Sequence, residues 1–238
     1  LRPQRHPIYL VVIIFHSLFA RHRAENRRTG QPGRSAGLSK ERADFTAPGE
    51  LRMPRMPRMP VMPIDEFDER QRRIHDSIVS GKRGGFRGPF HMWVHSPGYL
   101  EVLEKVGAYL RYDSALPPRL SEMAILITAR FWTAQYEWFA HEPHALKGGL
   151  DPAIIAAIAE RRRPENMKPD EEALYDFATS LHETHAVSDA VYEAAAAQFG
   201  NNGVMDLIGL IGHYTSVSMT LNACEVPIPD GKDLPLSV

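Results

Sequence analysis

The stretch Ala134-Gln135-Tyr136-Glu137-Trp138-Phe139-Ala140-His141 decides how this chain reads. In a helix, Glu137 and His141 fall one turn apart on the same face, where a carboxylate can hold and tune an imidazole. Immediately before it lies the longest apolar run of the chain, Leu120 to Phe131, which carries Glu122. A carboxylate inside so apolar a helix needs a partner or a raised pKa. The two segments together predict a buried helix followed by a second helix that carries an acid/base pair.

Working outward, every strong pattern is helical. Residues 65 to 80 form an amphipathic segment through Phe67, Ile74, Ile78 and Val79, stopped at Gly81. The Gly-rich stretch from Gly81 to Phe90 lacks the spacing of a phosphate-binding loop and follows no strand, so it reads as a tight connection that also lines a pocket. A helix is predicted from Pro97 to Tyr112, and Pro117-Pro118 restarts the chain into the apolar run. Thr133 is positioned to cap the helix that follows, which Gly148-Gly149 closes, and Pro143 disturbs its end. Asp151-Pro152, Pro169 and Ser188 open three more helices, the third ending at Gly200, and a last helix spans about Val204 to Ala223. No alternating strand-length run appears, so the body is predicted to be all-α.

Residues 1 to 62 read differently. They hold 12 Lys/Arg against 4 Asp/Glu, whereas residues 63 to 238 hold 16 against 25. The basic excess therefore belongs to an appendage, and the net charge of -1 predicts no nucleic-acid partner. From Arg21 to about Pro63 the composition is rich in Arg, Gly, Ser and Pro, with the triplet run Met53-Pro54-Arg55-Met56-Pro57-Arg58-Met59-Pro60 denying regular hydrogen bonding. The expectation is a disordered or mis-assigned basic leader over 1–62 and one helical domain over 63–238. The apolar residues 8 to 20 behind Arg2, Arg5 and His6 resemble a secretory signal but are too short to span a bilayer. A cytoplasmic location without membrane contact is expected, with export as the alternative if that signal is genuine. The single cysteine, Cys224, excludes an intramolecular disulfide, a CxxC pair and a thiolate zinc cluster.

Glu122, the frame Ala134-x-x-Glu137-x-x-x-His141, the Gly148-Gly149-Leu150 turn and the tail from Asn222 to Pro229 together resemble the carboxymuconolactone decarboxylase family of the alkylhydroperoxidase D-like superfamily. The resemblance covers roughly Ile64 to Pro229. In the peroxidase branch of that superfamily the frame carries a CxxC pair, and here the two cysteine positions are Ala134 and Glu137. The decarboxylase branch has Glu-x-x-x-His, which Glu137 and His141 reproduce. The resemblance implies an alkylhydroperoxidase D-like helical bundle and a role in aromatic-compound breakdown. It also implies cofactor-independent decarboxylation of a small cyclic acid such as 4-carboxymuconolactone.

On this reading His141 donates the proton, Glu137 fixes its tautomer and charge, and Glu122 is a second acid/base or relay. Tyr136, Trp138, His95, Arg111 and Asn222 are expected to contact substrate, with His213 a further polar group in an apolar pattern. Glu137, His141 and His144 also offer a possible metal-binding face, but Pro143 disturbs the spacing and no metal is expected. A peroxidase-like oxidoreductase and a non-catalytic small-molecule-binding oligomer are the rival readings. Self-association as a dimer, trimer or hexamer is expected from the apolar faces of Leu120–Phe131 and Val204–Val217.

Overall fold

The computed structural model describes residues 56–229 and 232–237. The apolar run at residues 8 to 20 and most of the basic leader lie outside the described residues. Among the described residues, all regular structure is helical and no helix is long and apolar enough to cross a membrane. After a 3-10 turn at Ile64–Glu66 come α1 (Glu69–Ser80), α2 (Phe90–Trp93), α3 (Pro97–Tyr112) and α4 (Pro118–Phe131). Then follow α5 (Gln135–Lys147), α6 (Pro152–Ala159), α7 (Pro169–Thr184) and α8 (Asp189–Ala223).

Local chemistry sets most of these boundaries. Asp68 and Gln71 form a reciprocal capping box at the start of α1, with bonds of 2.7 and 2.8 Å. Proline occupies the first helical position of α3, α4, α6 and α7, where its missing N–H costs nothing. The Asp151 carboxylate caps α6 by accepting from the Ala153 N–H at 2.8 Å. Gly200, with φ 63° and ψ 176°, breaks α8 into two helical segments where the sequence placed a stop and a restart.

Two local expectations are corrected. Thr133 does not cap α5; the N-cap is Ala134, without a side-chain bond. Thr133 instead adopts φ 48° as the left-handed residue that ends α4, with the Ala134 N–H donating to Ala129 O (2.8 Å) and its own N–H to Arg130 O (3.0 Å). Its hydroxyl accepts from Arg161 Nη2 at 2.9 Å and from Arg130 Nη1 at 3.3 Å, and so is not spent on α5. Pro143 does not end α5, which continues to Lys147 and closes at Gly149 with φ 89°.

Helix α4 is the axis of the body. Every residue from Leu120 to Arg130 is buried, and the helix packs against α3, α5, α6, α7 and α8. Because it meets protein on all sides, its polar groups need internal partners. Thr128 Oγ1 donates to Ala124 O at 2.9 Å and meets His182 Nε2 at 3.0 Å, and the His182 ring stacks on Phe131. The apolar run expected to drive self-association is thus consumed within one chain. Large apolar side chains left exposed include Tyr99, Val102, Val106 and Tyr109 on α3, and Met205, Ile208 and Met219 on α8.

The expected leader boundary at residue 62 cuts through contacts with the body. The Arg58 N–H donates to Cys224 O at 2.8 Å and Arg58 Nη1 to Ala223 O at 3.1 Å. His95 Nε2 lies 2.9 Å from Pro60 O, and Met62 packs against the core. A chain beginning at residue 63 is therefore expected to melt a few degrees below one beginning at residue 56. The lost contacts amount to about 1–2 kcal/mol, and each kcal/mol shifts the midpoint by roughly 2–4 °C in a body of this size. Equal melting temperatures in a calorimetric comparison would show that residues 56 to 62 contribute nothing.

Candidate active site

The three-residue reversal between α4 and α5 folds the two helices back on one another. It brings Glu122, near the start of α4, to the middle of α5, where Glu137 and His141 sit one turn apart. His141 Nδ1 lies 2.6 Å from Glu122 Oε2, and His141 Nε2 lies 3.0 Å from Glu137 Oε1. All three side chains are buried. A neutral imidazole has one donor nitrogen, whereas this arrangement offers an acceptor to both nitrogens. The ring is accordingly held as an imidazolium. Burial alone would lower the His141 pKa, but Glu122 and Glu137 outweigh it and push the value up to about 9.

The surrounding charges complete the balance. Arg111, from the last turn of α3, places Nε 3.4 Å from Glu122 Oε1. Burial raises the Glu122 pKa, but His141 and then Arg111 overcome this and hold it below the ordinary carboxylate value. Tyr214 of α8 packs edge-on to His141, with ring centroids 5.1 Å apart, and its burial raises its own pKa. His213 also packs edge-on to Tyr214, with ring centroids 5.3 Å apart, and is driven down to about 4 by burial, by Arg83 and by His141. One histidine is thus locked charged and its near neighbour locked neutral.

These groups form part of the wall of a cavity of about 1070 Å³. Its remaining wall is rich in cations: Lys82, Arg83 and Arg87 from the Gly-rich connection, together with Arg111, Arg119 and Lys147. Lys82 is paired with Asp113 at 2.5 Å, and Arg119 with Asp170 and Glu171. Among the described residues, Arg87 and Lys147 make no ion pair. The connection approaches closely at Gly88, where φ is 57° and an added Cβ would lie 2.7 Å from the Tyr136 ring.

Of the residues singled out from the sequence, Glu122, Glu137, His141, Arg111 and Tyr136 all line this cavity. Three do not. Trp138 points into the core and is 1% exposed, since it lies about 100° around α5 from Glu137. His95 is exposed and contacts Pro60 at a second, shallower depression. Asn222 is exposed and donates from Nδ2 to Trp132 O at 2.8 Å, bracing the α4–α5 turn. The Glu137, His141 and His144 metal face is not formed, since His141 spends both nitrogens on carboxylates. Among the described residues no group of three or more His, Cys, Asp or Glu side chains is arranged to hold a metal ion.

Sequence reasoning missed Tyr214, Arg83 and the cationic wall. Tyr214 falls on the apolar face of α8 and looks like ordinary core. The usable signal was the density of Lys and Arg within the Gly-rich connection, which only pays off once that loop is folded over the cavity.

No family profile matches the chain and no curated protein is similar to it in sequence. Solved structures do resemble it. An alkylhydroperoxidase AhpD core protein from Ralstonia eutropha, an uncharacterized peroxidase-related protein, superposes with a TM-score of 0.62 at 19% identity. The match covers 74% of this chain and 94% of that one. An uncharacterized peroxidase-related protein from Silicibacter gives 0.62 at 14% identity, over 76% and 96% of the two chains. A protein of unknown function from Agrobacterium tumefaciens, with a proposed antioxidant-defence name of AhpD, gives 0.53 at 14% identity, over 60% and 99%. The fold is therefore that of the alkylhydroperoxidase D-like helical proteins.

The opposed histidines make stability depend on pH in two directions. His141 has a raised folded pKa, so its contribution is complete below 6.5 and is lost as the pH climbs toward 9. His182, lowered by burial to about 4, and His213 at about the same value act oppositely, and stability falls as the pH drops from 6.5 toward 4. Denaturant unfolding across pH 4 to 9 should give a maximum near the ordinary histidine value of about 6.5. In His141→Gln the alkaline decline should flatten, while an unchanged decline would mean that the imidazole is not held charged.

Proposed function

We propose that this protein is a cofactor-independent decarboxylase of a small cyclic carboxylic acid, such as 4-carboxymuconolactone, with Glu122, His141 and Glu137 managing the proton. The observation that carries the reading is the imidazolium clamped between two carboxylates on the wall of a cation-lined cavity. Cations on the wall suit an acidic substrate, and the clamped ring is a proton store beside it.

The reaction asks little of the protein. The bond between ring carbon and carboxylate breaks, carbon dioxide leaves, and the electron pair runs into the conjugated lactone carbonyl to give a dienolate. A proton must then reach carbon. Both His141 nitrogens are engaged, so the ring does not hand its proton to substrate directly. The Nε2 proton passes to Glu137, whose carboxyl group delivers it, while Glu122 holds Nδ1 and, with Arg111, balances the charge. Solvent restores the proton after product leaves. The wall cations orient the acid and offset the negative charge that develops on the lactone oxygen.

The names carried by the structural neighbours suggest peroxidase chemistry instead. That chemistry needs a thiolate and a resolving partner. The sole cysteine, Cys224, lies at the second depression with Met59, Met92 and Trp93, away from Glu122 and His141. Ala134, which stands at one of the cysteine positions of the peroxidase branch that the sequence resembles, is wholly buried. Both facts favour the decarboxylase reading.

The test is incubation of the protein with 4-carboxymuconolactone and related lactone acids while following carbon dioxide, with a parallel hydroperoxide assay. Carbon dioxide release without hydroperoxide turnover is expected. The rate should fall as the pH rises through about 9, where His141 gives up its proton. Glu137→Gln keeps the shape and removes the charge, so this alkaline limb should move to lower pH and turnover should drop by about 10²-fold. Full activity in Glu137→Gln would remove the relay from the mechanism. Binding of the acids without any product would identify a binding protein.

A further inference from the structure

The outer side of α8 carries a pattern that the bundle does not use. Its inner side, through Leu207, Leu210, Ile211, Tyr214 and Val217, is buried in the body. The other side presents Met205, Ile208, Gly212, Ser216 and Met219, and its three large apolar side chains are 38% to 63% exposed. These residues stand at −7, −4, 0, +4 and +7 about Gly212, a spacing that keeps them on one helical face. From Leu207 to Ala223 the helix carries no Asp, Glu, Lys or Arg. A helix free of charge on both sides is characteristic of one that is covered on both sides.

α3 widens this face. It runs antiparallel to α8, with Tyr99 Oη 2.8 Å from Ser216 Oγ and Tyr109 Oη donating to Asp206 Oδ1 at 3.0 Å. Its exposed residues Tyr99, Val102, Val106 and Tyr109 repeat at intervals of three and four and are themselves symmetric about the middle of the helix. Charges lie beside the stripe, where Glu101 pairs with Arg70 at 2.7 Å and with Lys105 at 3.7 Å. With side chains of roughly 150–250 Å² each, about half exposed, the seven large apolar residues offer on the order of 700 Å². That exceeds the few hundred Å² a monomer commonly leaves open and approaches the ~800 Å² that each partner buries in a standard stable interface. An apolar centre with a charged margin is also the anatomy of such an interface.

The geometry points to a second copy of this chain as the occupant of the α3–α8 face, paired about a two-fold axis at Gly212. A two-fold interface matches one patch with itself, so that residue i meets j and j meets i. With the two α8 helices antiparallel across the axis, Met205 of each copy meets Met219 of the other, and Ile208 meets Ser216. The symmetric spacing about Gly212 is what such self-matching requires, whereas an unrelated partner would not need it. In the single chain a Cβ added at Gly212 meets nothing within 4 Å, so the two backbones can come close at the axis. Self-association thus uses the outer side of α8 and α3 in place of the buried run Leu120–Phe131. It does not depend on the reaction proposed for the cavity.

Sedimentation equilibrium of the full chain should give twice the chain mass at micromolar concentration, and the melting midpoint should rise with protein concentration. Gly212→Arg is tolerated by the single chain, where that position is open, but it sets two guanidinium groups against each other at the axis. Association should weaken at least about 100-fold while helical circular dichroism stays unchanged. Met205→Lys and Met219→Glu should each weaken the dimer, and mixing the two should restore a one-to-one pair, because the antiparallel register sets position 205 of one copy against 219 of the other. A monomer at concentrations up to about 100 μM would overturn the proposal. Shielding of Met205 and Met219 from oxidation in that monomer would assign the face to residues 1–55 of the same chain. A dimer indifferent to Gly212→Arg, or variants that do not recombine on mixing, would overturn it equally. A larger assembly upholds it where Gly212→Arg halves the mass and otherwise counts against it.

Discussion

An imidazole with a carboxylate on each ring nitrogen, enclosed in an apolar bundle, constrains everything around it. Two buried carboxylates without a cation between them would be prohibitively costly, and a buried imidazolium without them would shed its proton. His141, Glu122 and Glu137 are stable only together. Arg111 brings the local charge to balance, with two cations against two carboxylates. The position of α3 relative to the α4–α5 pair is therefore tied to electrostatics as well as to packing.

That cluster depends in turn on the turn between α4 and α5. A left-handed residue at position 133 closes α4 and reverses the chain in three residues, which sets the register that puts Glu122 opposite His141. Threonine is a poor residue for that conformation, since a β-branched side chain at positive φ is strained by about 1–3 kcal/mol. Two arginines and the Asn222 bond to Trp132 O hold the turn from outside. The strain is offset by contacts of which those from Arg161 and Asn222 come from far along the chain.

The cavity itself arises where the bundle is left incomplete. The cavity lies beside Glu122 of α4, and residues of the Gly-rich connection supply part of its wall. Glycine at 88 admits the Tyr136 ring and glycine at 107 admits Arg83 and His213, so two absent side chains shape the walls. The result is a cavity whose wall holds both the proton store and several cations.

Much of this was legible in the chain. The apolar run from Leu120 to Phe131, the proline and Asx/Ser starts and the glycine stops fix an all-helical body, because capping and periodicity act over a few residues. The pairing of Glu137 with His141 follows from helical spacing alone. What the sequence left undecided concerns groups brought together from distant segments. Nothing local shows that Glu122 reaches the far nitrogen of His141, which turns a tunable base into a locked cation. Trp138 and Tyr136 are two residues apart and equally aromatic, yet only the packing of α5 on α4 and α8 sends one to the core and the other to the cavity. Helical spacing assigns residues to a face; which neighbour that face meets, and so whether a histidine is charged, neutral or idle, is set by long-range packing and the electrostatics it creates.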